Sequence, residues 1–244
     1  MPIQQPSCSS GSKTAVSLNR LPKRDDYSDC ANFSKSDHLT EENLLIVRGI
    51  FCFALACNVV TTYWLNYDGF YHMFFFFSYW GSILTTLGIL FSTKAVVNKN
   101  EFQMWACLCT EMGMGFNFVI MPMFWIALWP NLVTLNWHGL DLITNIHLIT
   151  THTLPVIGGG LNIYLTKDFV FLPRDCKLLF ILGILYIPAN YWGFIYEGQP
   201  EYPVADWKNF WETVAWYVLL AASETVIYYL FSSWLCRKRG YKLN

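Results

Sequence analysis

Six long apolar runs constrain this chain more than any other feature, because a helix crossing the hydrocarbon of a bilayer needs about 20 mainly apolar residues. The runs extend from Thr40 to about Leu65, His72 to Val97, Met104 to Trp129, His138 to Leu165, Cys176 to Tyr196 and Phe210 to Cys236. The expected fold is therefore all-α, a polytopic membrane bundle of six transmembrane helices. Composition agrees: of 244 residues 54% are hydrophobic and 14% charged, where a soluble domain carries roughly 25% charged residues. A net charge of -1 offers no basic surface to phosphates, so the expected partners are the bilayer and a membrane lipid rather than nucleic acid. Nothing in the sequence sets an oligomeric state.

Residues 1–43 are rich in Ser, Asp, Lys and Asn and contain no apolar run of the kind a cleavable signal peptide needs. They read as a disordered polar cytoplasmic tail, followed by a six-helix domain over 44–236 and a basic C-terminus over 237–244. Thr40-Glu41-Glu42-Asn43 supplies helix-start chemistry, and Arg48 sits near the polar end of the first span, where it can snorkel. Lys and Arg cluster in the tail, in the second–third and fourth–fifth connections and at the C-terminus, whereas the other three connections hold only Lys208. Cytoplasmic loops retain such residues, so both termini are expected on the cytoplasmic side of an endomembrane or the plasma membrane.

The fourth run, HGLDLITNIHLITTHTLPVIGGGLNIYL, departs from the others by carrying many polar groups. At 100° per residue Asp141, Asn145, His152, Pro155, Gly159 and Asn162 share one stripe, and His147 points roughly 140° away from His152. Polar side chains inside a span are costly and face a protein interior or cavity, so this stripe is expected to line a pocket. A second stripe, Ser78, Ser82, Thr85 and Thr86, reads as helix-packing glue or as chemistry. Glu111 and Glu224 are acids inside the third and sixth spans and are functional candidates on the same argument. The eight cysteines show no repeated ligand spacing and read as reduced packing residues, so neither a metal nor another cofactor is expected. Cys236 beside Arg237-Lys238-Arg239 reads as an unmodified helix-end cysteine in a setting that also suits palmitoylation.

A hydroxyl nucleophile needs a base within about 2.6–3.2 Å. His147 and His152 are the two histidines well inside a span. Ser78 enters from the same side of the membrane, roughly 9 Å deep, against about 10 Å for His147 and about 18 Å for His152 at 1.5 Å per residue. Depth favours His147 and the polar stripe favours His152, and both stand as candidate bases. Asn145 is a candidate donor to an oxyanion, and Ser82, Glu111 and Glu224 complete the expected substrate pocket.

Three features resemble the androgen-induced-gene-like membrane proteins, multi-pass hydrolases whose characterised members cleave fatty acid esters of hydroxy fatty acids with a threonine and a histidine. The run Phe75-Phe76-Phe77-Ser78-Tyr79-Trp80 is similar to the family's aromatic run ending in the nucleophile, with serine where threonine usually stands. His152-Thr-Leu-Pro155 resembles the histidine followed by proline in the family's fourth helix, and Gly198-Gln-Pro-Glu-Tyr202-Pro203-Val-Ala-Asp206 matches its Gly-x-x-x-Tyr-Pro-x-x-acid turn. The likeness runs from about residue 44 onward; the long polar tail is not part of it. It implies an intramembrane lipid esterase with Ser78 as nucleophile and His152 or His147 as base.

The alternative is a non-catalytic multi-pass protein, either a structural subunit or a transporter. The polar stripes then line a partner contact or a path, and Gly158-Gly159-Gly160 lets helices approach closely. No inverted repeat of short Gly/Pro-broken spans supports transport.

Overall fold

The computed structural model describes residues 31–65, 70–98, 101–132, 139–200, 202 and 206–238. Its described residues form six long helices: α1 (Glu41–Leu65), α2 (Phe77–Val97), α3 (Gln103–Met123), α4 (Gly139–Leu165), α5 (Cys176–Glu197) and α6 (Phe210–Lys238). All but α4 are long and apolar enough to cross a membrane, as a multi-pass membrane protein requires. With 27 residues, α4 extends about 40 Å, but its polar residues dilute its hydropathy. Ile50, Phe53 and Trp64 on α1 and Trp211, Trp216 and Leu230 on α6 point outward. So much exposed aromatic and aliphatic surface is a liability in water and suits hydrocarbon.

Helix α4 packs against α1, α2 and α3, while α5 pairs chiefly with α6. The closest backbone approach joins α2 and α3, and glycine permits it. A Cβ added at Gly88 would stand 2.9 Å from the backbone nitrogen of Thr110, and one at Gly113 would stand 2.7 Å from that of Thr85. Beyond Met123, α3 continues through a wide π-helical turn at Phe124–Leu128, which follows Pro122, and a last turn at Trp129–Leu132. Proline removes an internal donor, so a break in the regular ladder at this point has a local cause.

One end of the bundle is clasped by the segment before α1. Residues expected to belong to a disordered tail are packed from Ala31 onward: Ala31 and Phe33 are buried, and Asn32 forms an antiparallel bridge with Lys167 just beyond α4. The Phe33 N–H donates to Gln103 Oε1 (3.0 Å), and Lys167 pairs with Asp37 (3.3 Å). Arg48 does not snorkel; it is buried and donates to Phe33 O, to Ser92 O (3.2 Å) and to Thr166 Oγ1 (2.8 Å), tying the segment to α1, α2 and α4. Cys236 lies buried at the same end, with its thiol 3.4 Å from Phe171 O. Residues 1–30 and 239–244 lie outside the described residues.

At the opposite end the second span is interrupted. The sequence reading starts its helix at His72, but residues Phe70–Phe75 form a 3-10 segment and Phe76 is extended (φ -102°, ψ 128°) before α2 begins. Side chains from elsewhere hold the freed backbone groups, which must be satisfied when buried. Phe75 O accepts from the Tyr186 hydroxyl (2.6 Å) and from Asn190 Nδ2 (2.9 Å), and the Phe77 N–H donates to the Tyr202 hydroxyl (3.0 Å). Asn190 Oδ1 in turn accepts from Trp207 Nε1 (2.9 Å) and from the Tyr217 hydroxyl (2.7 Å). Asp206 caps the turn leading into α6 by accepting from the Lys208 N–H, as expected of an aspartate there; Pro203 lies outside the described residues.

Candidate functional site

Helix α4 carries two buried polar faces, and each meets a different neighbour. The first faces α1. His147 Nε2 lies 3.1 Å from Thr62 Oγ1 and 3.5 Å from Thr151 Oγ1. Asn58, one turn before Thr62 on α1, joins the group: its Nδ2 donates to Thr151 Oγ1 (3.2 Å), and the Thr151 hydroxyl lies 3.3 Å from Asn58 Oδ1. Asn58 and His147 are each 7% exposed, Thr151 1% and Thr62 0%. These four residues make a compact cluster sealed from solvent by the two helices.

The spacing explains the cluster. Residues four apart on a helix lie one above the other, so Asn58 and Thr62 present a polar pair to His147 and Thr151, which stand four apart on α4. The Thr62 hydroxyl has two acceptors in reach, His147 Nε2 and the carbonyl of Asn58 at 3.0 Å, and its single proton serves one at a time. Back-bonding to the fourth preceding carbonyl is the resting habit of a helical threonine, and rotation about χ1 redirects the proton. When Nε2 accepts, the ring proton is on Nδ1, which is buried with no protein partner among the described residues.

The second polar face of α4 looks toward α2 and α3. The His152 Nδ1–H donates to Leu148 O (2.7 Å), and the ring stacks on Phe124 with centroids 3.8 Å apart and planes within 4°. Asn145 is buried on this side, roughly 160° around the helix from His147. Farther along, Asn162 Nδ2 donates to Ser92 Oγ (3.0 Å) and Thr110 Oγ1 (3.2 Å), and Asn117 Nδ2 donates to Thr85 Oγ1 (2.9 Å). Of the stripe in α2, Thr85 thus bonds across to α3. Ser78 stands buried in the first turn of α2, and Ser82 is buried with its hydroxyl unpartnered among the described residues. Among the described hydrogen bonds the hydroxyls that meet a histidine belong to Thr62 and Thr151, not Ser78.

The two acids lie away from this cluster. The bond from Asn162 to Thr110 sets the neighbouring Glu111 at the level of residue 162, about 22 Å along α4 from His147. There Glu111 Oε1 accepts from the Leu172 N–H (2.8 Å), and Tyr228 donates to Leu172 O (3.3 Å), so Glu111 anchors the connection between α4 and α5. Glu224 is buried one turn from Tyr228 on α6, and neither oxygen has a protein partner among the described residues. The expected substrate pocket of Asn145, Ser82, Glu111 and Glu224 is therefore not one assembly around His147. Sequence reasoning passed over Asn58, Thr62 and Thr151. The available signal was Asn58 and Thr62 at four-residue spacing inside the otherwise apolar first span.

Among the described residues no group of three or more His, Cys, Asp or Glu is placed to hold a metal ion. Comparison with protein-family models, with curated proteins and with solved structures returns no match to this chain.

Proposed function

We propose that the chain is an intramembrane lipid ester hydrolase with Thr62 as nucleophile and His147 as base, and the observation that carries this reading is their 3.1 Å buried contact. Thr62 Oγ attacks the ester carbonyl while His147 Nε2 takes its proton. The same proton then goes to the departing alkoxide, leaving an acyl-threonine. Water, deprotonated by His147, cleaves that ester, releases the acid and restores the hydroxyl. Asn58 Nδ2, one turn from Thr62, is the donor this reading assigns to the oxyanion, in exchange for its bond to Thr151.

The chemistry keeps the threonine and histidine of the family the sequence resembles, but moves the hydroxyl from the start of the second span to the end of the first. In this reading α4 also crosses the membrane. Lys94, Lys167, Arg174 and Arg237 belong to the end clasped by Arg48, which faces the cytoplasm with both termini, and the Thr62 cluster lies toward the other side. The non-catalytic reading draws on a different observation: Nδ1 of His147 has no orienting partner among the described residues, and Thr62 is satisfied by Asn58 O, as a structural threonine would be.

A fluorophosphonate probe and a long-chain lipid ester, applied to purified protein in micelles, separate the readings. Thr62→Ala should abolish both labelling and turnover, while Ser78→Ala keeps at least half of each. Loss in Ser78→Ala alone would transfer the nucleophile to Ser78, and turnover indifferent to both substitutions would leave the cluster structural.

A further inference from the structure

Two acids meet in the interior at the clasped end of the bundle. The Glu111 carboxyl of α3 lies against that of Asp175, which closes the Pro173–Asp175 turn before α5. Glu111 is 0% exposed and Asp175 3%. From α6 the Tyr228 phenol meets Glu111, and the Cys107 thiol, one turn back on α3, stands near that phenol. The nearest cations in the chain, Arg174 and Lys177, flank Asp175. Two carboxylates cannot both carry charge at such a contact, so the pair holds one proton and one negative charge. What it secures is the connection between α4 and α5: Glu111 Oε1 accepts from the Leu172 N–H (2.8 Å), and Phe169, Val170, Phe171 and Leu172 are all buried. That connection is also the platform of the clasp, because Phe33 packs edge-on against Phe169 (5.8 Å) and the Asn32 N–H donates to Lys167 O (2.8 Å).

We infer that this acid pair is a proton-operated latch: with its shared proton it holds the α4–α5 connection, and loss of that proton as pH rises releases the connection together with the clasp at residues 31–38. The step is a single deprotonation, in which the acid O–H gives its proton to solvent and two carboxylates remain. Their repulsion is poorly screened away from water. Outward movement of Asp175 relieves it with least disruption, since that residue sits on a short 3-10 turn and Glu111 within a long helix. Once released, both carboxyls are hydrated and ionised above about pH 5. The released state therefore binds one proton fewer than the closed state, so closure is favoured at low pH and weakens as pH rises. The latch stands about 22 Å along α4 from His147 and is independent of the hydrolysis proposed above.

The test is hydrogen–deuterium exchange of the full-length protein in neutral detergent, from about pH 6 to about pH 9. It is read on peptides covering 31–40 and 166–175, relative to the exchange rate of an unstructured peptide at the same pH. Protection of both peptides should fall together by about tenfold, the change that one proton confers per pH unit. Residues 186–190, at the other end of the bundle, should keep theirs. Glu111→Gln and Asp175→Asn each remove the second charge of the pair while keeping its shape, and in each the fall should vanish. Either variant suffices, so misfolding of one leaves the comparison standing. Tyr228→Phe should retain the fall; its disappearance there would assign the proton to the phenol and overturn the inference. A flat profile in the unsubstituted protein also overturns it, as a pair neutralised by Arg174 would give. So does a fall that persists in both carboxyl variants, or one that spreads equally to 186–190 as general alkaline loosening.

Discussion

His147 and His152 stand five residues apart on one helix, both buried, and their surroundings differ in kind. His152 is immobilised twice, through Nδ1 on a backbone carbonyl and through its ring on Phe124. Among the described residues His147 is held through Nε2, by hydroxyls of Thr62 and Thr151. A carbonyl can only accept, so the His152 proton is pinned; a hydroxyl accepts or donates, so the protons around His147 can exchange places. The more polar stripe of α4 packs toward α2 and α3, and the shorter seam toward α1 holds the exchangeable group. Polarity within a span marks a buried face, but the donor and acceptor chemistry of the neighbours decides what that face can do.

This contrast is broken most decisively by exchanging the fates of the two rings. Under the proposed mechanism His147→Ala should lower kcat/KM for lipid ester by about a thousandfold, roughly 4 kcal/mol of transition-state stabilisation, with thermal stability little changed. His152→Ala should keep the rate within about tenfold and lower the unfolding temperature instead. The opposite outcome in paired kinetic and melting measurements would return the base to His152. Next in size is Phe124→Ala, which removes a fully buried ring from beneath His152. A loss of about 3 kcal/mol in stability is expected, read by thermal unfolding in micelles. If the two faces of α4 are separate, turnover at moderate temperature should survive it.

Much of the fold was legible because one physical requirement repeats six times. Each apolar run recurs as a helix, and every boundary falls within a few residues of its expected place except the start of α2 and the end of α3, where the π-helical turn after Pro122 interrupts the regular helix. The first exception was hidden because Tyr186, Asn190 and Tyr202, all more than a hundred residues away, supply the bonds that let the chain extend at Phe76. The packed segment at residues 31–40 was hidden for a similar reason. Its composition is that of a tail, and the arginine and glutamine that receive Phe33 lie on other helices. Within the candidate site, periodicity separated His147 from His152 but could not say which helix each would face. The aromatic run before Ser78 drew attention to α2. Thr62 near the end of α1 reads alone as an ordinary helical threonine, and only the pairing of α1 with α4 gives it a histidine.

The smallest effect tests the internal wiring of the His147 cluster. Thr151 touches both Asn58 and His147, so its hydroxyl can steady the amide and the ring together. Thr151→Val keeps the shape and removes the hydroxyl, leaving the Asn58 amide buried without that partner; about 1 kcal/mol of stability should be lost. The Thr62 contact is untouched, so kcat should fall less than tenfold if Thr151 only positions the ring, and Thr151→Ser should restore most of it. If Thr151 itself delivered the hydroxyl, Thr151→Val would abolish turnover as completely as Thr62→Ala, while serine would again rescue it. Combining Thr151→Val with Thr62→Ala distinguishes the cases further. A positioning residue adds almost nothing once the nucleophile is gone, because members of one catalytic unit are non-additive. Two independent hydroxyls would leave residual turnover in each single variant and none in the double.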